Sequence, residues 1–405
     1  MGEKKERKAG LKFDPKILDF LTTFEEMELE DVEMELGDLE LWFQPGAVAV
    51  PPKAVAPPAE RKPTTLLEAD LVPPIEEYPG QIRTVKLGAT KGEGGSRAKT
   101  VVIGGETSPA FYTFENPRPH PPVVSLDVFD TKVPLPKAIK MHVEEVMEDP
   151  AAWAKLAVEK FGADMVTIHL VSTDPLIKDT SPTDASKTVE NVLQAVKVPI
   201  VVGGCGDPKK DALLFKKVAE VTEGERVVLS SVTLDMAEAG VLEDVAKAAK
   251  DHGHVVLGFT ALELNQAREL NRRLYEFLPE DRILMDLTTA ALGYGLEYSF
   301  TIFERARLAA LMGDPELQHP VLSGTTNAWA AREAWLKMGP KWEPRELRGP
   351  IWETVTALSL LLAGVDLFLM MHPAAVRTVK EVMEQMKSRG TARAETIANW
   401  VKAKI

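Results

Sequence analysis

The chain has 405 residues, 45% of them apolar, and a mean hydropathy near zero. That is enough to bury a sizeable core and implies one large domain with an appendage. A formal net charge of −13, with no cluster of Lys and Arg above the background, argues against a nucleic-acid role. The single cysteine excludes an internal disulfide, a zinc site of four thiolates and a self-contained iron–sulfur cluster.

The opening "MGEKKERKAG" is charged and no apolar run comes after it, so a cytoplasmic protein without a secretion signal is expected. Residues Phe24 to Phe43 alternate acidic and apolar side chains, with Met27, Leu29, Val32, Met34, Leu36, Leu39 and Leu41 at spacings near two, the period of short half-buried strands. A docking arm is the expectation there. The Pro/Ala-rich run Gln44 to Pro63 then reads as an extended, semi-rigid linker, which makes residues 1–80 an appendage and 81–405 the main domain. Arg83 to Gly105 carries two short β-like runs around a Gly-rich turn, the pattern of a hairpin covering one end of that main domain.

From residue 123 onward, β-branched runs alternate with amphipathic segments. The predicted strands are Val123–Phe129, Met165–Leu170, Ile200–Val202, Val227–Ser231, Val255–Phe259, Ile283–Leu287, Pro320–Ser323 and Asp366–Met370. Between them lie helix faces spaced by three and four: Trp153, Leu156, Ala157 and Phe161; Val189, Val192, Leu193 and Val196; Leu242, Val245, Ala246 and Ala249. Val376, Val379 and Met383 come after the last strand in the same way. Asp184 is placed as the cap of the second of these helices, and Asp207–Pro208 opens the third. Eight strands alternating with helices are the count of a (β/α)8 TIM barrel, an α/β fold. The run Leu358 to Met371 is broken by Gly364 and Asp366 and is too short to span a bilayer.

In such a barrel the chemistry lies at the C-terminal strand ends. Those ends are polar: Asp127 and Asp130 on the first, Thr167, His169, Thr173 and Asp174 on the second, Gly203, Gly204, Cys205 and Gly206 on the third. Asp286, Thr288 and Thr289 close the sixth, Gly324, Thr325, Thr326 and Asn327 the seventh, and His372 the eighth. They read either as the floor of a ligand site or as helix caps and buried hydrogen-bond partners. No predicted strand carries a lysine for Schiff-base chemistry, and the histidines are too scattered for a metal cage, with His252 and His254 opening the fifth strand at the opposite end. "SGTTNAW" leading into a helix suits a phosphate, and equally suits a plain cap. Cys205 has neither a nearby His nor a CxxC partner, so it reads as a small packing residue. The glycines around it leave room for a bulky planar ligand against the backbone. The loop Ala290 to Phe300 repeats the idea, with Gly293 bare, and Tyr294 and Tyr298 offered either for stacking or for core packing.

Five blocks carry a resemblance: "VKLGATKGEGGSRAKTVVIGGE", "ADMVTIHLVSTDPLIKDTSPTDA", "VVGGCGDPKKD", "TTAALGYGLEYSFTIFERARLAALMGD" and "RGPIWETVTALSLLLAG" with "LMMHP". Over about residues 81 to 386 the chain resembles the small, or delta, subunit of the corrinoid iron–sulfur protein of the CO dehydrogenase/acetyl-CoA synthase system. Its acidic arm and linker are similar to the N-terminal extension of methanogen-type delta subunits. The resemblance implies a TIM barrel related to pterin methyltransferases and paired with a large, gamma subunit. That partner carries the [4Fe-4S] cluster and most of the corrinoid (cobalamin) domain; the D-x-H-x-x-G corrinoid signature is absent from this chain.

The implied role is to contact the corrinoid at the top of the barrel while a methyl group passes from methyl-tetrahydropterin to Co(I) and on to acetyl-CoA synthase. This subunit would supply position and shielding with no acid or base of its own. Asp127, His169, Asp286, Thr325 and Asn327 would then hydrogen-bond corrin amides or, where a pterin binds, its ring, on the strength of strand-end position alone. A self-sufficient methyl-tetrahydropterin:corrinoid methyltransferase and a scaffold subunit are the rival readings.

Overall fold

A computed structural model describes residues 76–110 and 118–387. The chain divides into two units, Met1–Leu71 and Val72–Ile405, and the described residues all belong to the second. The expected arm and Pro/Ala linker lie outside them.

The predicted hairpin is present as β1 (Val85–Leu87) and β2 (Val101–Ile103), antiparallel with Val85 opposite Ile103. Eight parallel strands come next: β3 (Val123–Phe129), β4 (Met165–His169), β5 (Ile200–Gly203), β6 (Val228–Val232), β7 (Val255–Phe259), β8 (Ile283–Asp286), β9 (Val321–Ser323) and β10 (Leu367–Met370). They close in the order β10-β3-β4-β5-β6-β7-β8-β9. Every strand expected from the β-branched runs is there, with ends displaced by no more than one residue.

Helices wrap the outside: α1 (Lys137–Val143), α2 (Pro150–Glu159), α3 (Pro182–Ala195), α4 (Pro208–Val221), α5 (Leu234–Glu238), α6 (Leu242–Asp251), α7 (Leu264–Tyr275), α8 (Leu296–Leu311), α9 (Arg348–Leu362) and α10 (Pro373–Lys387). Their apolar stripes meet the outward-facing strand residues, such as Val124, Leu126 and Val128, in one continuous core. Asp207 caps α4 as expected, accepting from the backbone N–H groups of Lys209 and Lys210. The cap of α3 is Ser181 and not Asp184: Pro182 sets the helical φ one turn earlier, and Asp184 sits inside the first turn. Among the described residues no helix is long and apolar enough to cross a membrane.

The hairpin covers the N-terminal end of the barrel. Val85, Leu87, Val101 and Ile103 share a buried cluster with Val123, Met165, Val201, Val228 and Leu367, which lie at or near the starts of their strands. Gly88 donates to Arg226 O and Ala98 to Lys197 O, just ahead of β6 and β5. Arg97, itself buried, donates to the carbonyls of Leu193 and Val196. The N-terminal end is therefore plugged.

Near the same end Arg307 of α8 reaches Glu106 at 2.8 Å and Asp366 at 2.9 Å, and Arg118 reaches the same two carboxylates at 2.9 and 2.6 Å. Two guanidinium groups face two carboxylates in this largely buried quartet, which fastens the segment after the hairpin to the base of β10.

Candidate functional site

With the bottom filled, the C-terminal mouth remains. β3 brings Ser125 and Asp127 inward, one layer apart, and β4 brings Thr167 and His169 beside them, because alternate residues of a strand face the same way. Ser125 and Thr167 satisfy each other at 2.7 Å in the buried middle layer. One layer up, Asp127 is 2% exposed and accepts a hydrogen bond from the Thr326 hydroxyl, which arrives from the far end of the sequence. Its other oxygen, Oδ1, lies 3.1 Å from His169 Nε2, but the two are misaligned and each is left without a well-directed partner. Burial pulls the proton affinity of His169 down; the charge on Asp127 outweighs it, and the ring's pKa lies above its ordinary value. Phe129 stacks on the imidazole at 5.1 Å. Gly203 makes room for it from the next strand, since a Cβ there would stand 3.2 Å from Nδ1.

Across the mouth, Asp286 ends β8. Its Oδ1 accepts from the Thr288 N–H at 2.9 Å, and burial, opposed by that one bond, pushes the carboxyl up to about 7. Thr288 has φ +79°, in the left-handed region that a β-branched residue enters only under constraint, and its hydroxyl is tied to Thr260 O. Behind it a run of hydroxyls, Thr289 to Ser323 to Thr325, is linked at 2.9 Å per step, and Asn327 donates to Thr289 O. Asp127, His169, Thr326, Asp286 and Thr288 thus stand at the mouth, while Thr325 and Asn327 brace it from behind.

Other predicted site residues are taken up by the fold. Thr173 is buried and bonds Leu170 O. His372 is buried, accepts from Ala374 N–H at 3.1 Å and lies against Trp329 and His142, with burial lowering its pKa to about 3. Gly204 has a different reason from the one expected: a Cβ there would stand 2.2 Å from Asp211 Oδ1. Asp211, in the first turn of α4, reaches back under the loop and accepts from Cys205 N–H and Gly206 N–H, each at 2.8 Å, and from Cys205 Sγ at 3.3 Å. Burial pushes the Cys205 thiol up, away from a reactive thiolate.

Of the bare positions, Gly206 (φ +94°) and Gly293 (φ +80°) do face open space. His254, placed at the opposite end in advance, is a buried structural ring held by Ala219 O and Val227 N–H. Among the described residues no group of three His, Cys, Asp or Glu is arranged to hold a metal ion.

Two features went unread in the sequence. Glu353 of α9 is fully buried; its carboxylate accepts from Met371 N–H and from His372 N–H at 2.9 Å, and burial pushes it up to about 8. A lone acid in the apolar run "IWETVTALSLLLAG" was the available signal. The second is the rim: Leu176 is 94% exposed in the loop after β4, beside Ile177, and Trp335, Leu336 and Trp342 are exposed in the loop after β9, joining Tyr294, already offered for stacking, in the loop after β8. All three loops come after C-terminal strand ends and so lie on one side of the barrel.

Residues 84–340 match the family model described as the CO dehydrogenase/acetyl-CoA synthase delta subunit. The acetyl-CoA decarbonylase/synthase complex subunit delta of Archaeoglobus fulgidus is 51% identical over 364 residues, covering 88% of this chain and 80% of that one. Its counterpart in Methanothermobacter thermautotrophicus is 45% identical over 389 residues, covering 95% and 96%. Among solved structures, a dihydropteroate synthase from Xanthomonas albilineans overlays with a TM-score of 0.45 at 16% identity, covering 67% of this chain and 95% of that one.

Proposed function

The chain belongs to the family of CO dehydrogenase/acetyl-CoA synthase delta subunits, and from that premise we propose that the open mouth of its barrel is the seat against which a partner subunit's corrinoid is held during methyl transfer. The observation that carries this reading is the Asp127–His169 pair, two buried polar atoms 3.1 Å apart, each lacking an aligned partner, at the barrel end away from the hairpin. A buried acceptor left in that state is costly unless something completes it.

The residues fit such a group. A corrin ring is edged with primary amides, each both donor and acceptor. Asp127 Oδ1 and an ionised Asp286 accept from amide N–H groups, and a protonated His169 donates to an amide oxygen. Gly206 and Gly293 leave the rim low enough for a wide planar ligand. When bound, the cofactor supplies the metal that takes and gives the methyl group. This chain orients the ring, shields one face from water and, through the apolar side chains of the rim, receives the protein that brings it. The large, gamma subunit that the family resemblance implies fits that role and would carry the [4Fe-4S] cluster, for which the single cysteine of the present chain is too few.

The test is to co-express the chain with the other subunits, isolate the complex and measure retained cobalt and corrinoid absorbance. Asp127→Asn and His169→Ala are expected to lower retention about tenfold each, the worth of a hydrogen bond to a charged group, with the assembly intact. Unchanged retention would leave a scaffold role in its place. Methyl transfer from methyl-tetrahydropterin to free cobalamin by the isolated chain would replace it with a self-sufficient methyltransferase.

A further inference from the structure

Glu353 sits where an acid is least expected, fully buried in the apolar middle of α9. Its oxygens accept from the Met371 and His372 N–H groups, the first two past the end of β10, and no cation is paired with it among the described residues. A buried carboxylate is a costly way to satisfy two backbone groups, so its place calls for a reason beyond packing.

A chain of contacts leads from it to the mouth. The His372 ring is stacked on that of Trp329, with centroids 6.0 Å apart. Gly349, one turn before Glu353 on α9, is bare because a Cβ there would stand 2.1 Å from the same indole. The short helical turn Thr325–Ala330, which carries Trp329, is thus fixed between α9 and the end of β10. Its Thr326 hydroxyl lies between Leu369 O, at 3.3 Å, and Asp127 Oδ2. With Oδ2 pinned there, Asp127 Oδ1 stays 3.1 Å from His169 Nε2 without lining up on it. An unpinned aspartate would turn about its soft terminal torsion and close an ordinary ion pair with that ring. Of the two carboxylates whose charge His169 feels, Asp127 belongs to this chain of contacts; Asp130, held by the Ser172 N–H at 3.0 Å, does not.

We infer that Glu353 is a positioning residue of the mouth: through the end of β10 and Thr326 it holds Asp127 out of line with His169, so that the pair is satisfied only when a ligand completes it. This role rests on the mouth being a ligand seat, and it makes the unsatisfied pair a built feature, held ready by residues that touch no ligand themselves.

Glu353→Gln takes away one of the two acceptors at nearly equal volume, and Thr326→Val cuts the same chain of contacts at its other end without touching a buried charge. In the full chain, NMR titration of the histidine rings should find His169 raised by about one pH unit in either variant, the worth of one aligned hydrogen bond to a charged group. The double variant should go no further than Thr326→Val alone. Loosened packing would do the reverse, since water reaching the pair draws the ring back toward its ordinary value. In the assembled complex both variants should retain about tenfold less corrinoid. If Glu353→Gln does not fold, Glu353→Asp, one methylene short of both N–H groups, takes its place in the same titration. A His169 titration that stays or falls, or effects of the two substitutions that add, overturns the positioning role. A raised His169 with corrinoid retention unchanged upholds that role and counts against the corrinoid seat instead.

Discussion

Asp127 is the residue on which the mouth turns, because one carboxylate answers to two distant segments. Thr326 satisfies one oxygen and His169 stands against the other. The imidazole's pKa is raised in the fold by that charge. A raised folded-state value means that the pair's contribution to stability is complete below the unfolded histidine value of about 6.5 and is lost as pH rises through the folded value. Chemical denaturation across that window should show the wild-type chain losing stability with rising pH at this site. Asp127→Asn should flatten the dependence, and an imidazole titration by NMR should find His169 shifted downward. An unmoved His169 would mean that the neighbouring charge is not what holds it.

At the scale of an element, the turn between β5 and α4 shows why a run of glycines has more than one cause. Gly203 is bare for His169, Gly204 for Asp211, and Gly206 for its own left-handed backbone. A methyl group at Gly204 would collide with a buried carboxylate that is already holding two N–H groups and a thiol. Gly204→Ala should therefore cost about 2 to 4 kcal/mol, the range for overpacking plus a displaced buried hydrogen bond. Cys205→Ala loses one weak S–H contact and should cost less than ~1 kcal/mol with corrinoid retention unchanged. Urea denaturation of the two variants checks the order, and the opposite ranking would return Cys205 to consideration as a working residue. The sequence marked this loop as special but not why, since Asp211 lies within the helix and only the helix's first turn brings it back under the loop.

At the scale of the barrel, the described residues close the N-terminal end by two kinds of chemistry. The hairpin supplies the apolar plug, and the Arg307–Glu106–Asp366–Arg118 quartet supplies the clasp. Burial works against Glu106, yet the two guanidinium groups hold its carboxyl well below the usual range. Arg307→Met removes one cation and strips Glu106 and Asp366 of a shared partner in a buried site. It should destabilise the chain by about 3 to 5 kcal/mol, the usual consequence of breaking a buried pair on one side. Thermal or urea unfolding would measure it, and a loss under ~1 kcal/mol would show the quartet to be solvated.

The sequence alone determined the eight strands, their limits to within a residue, the hairpin and the barrel, because each rests on local periodicity: alternating β-branched runs bury in a sheet, and stripes at three and four bury on it. It also determined which loops face the mouth, since a parallel barrel puts every strand's C-terminus on one side. The tertiary structure decided which polar strand ends work together. Thr326 meets Asp127 across 199 positions, Glu353 holds the backbone of Met371 and His372 from a neighbouring helix, and His372 turns inward to become a cap. Burial and partnership depend on barrel closure and register, and neither is written in the spacing of residues along one strand.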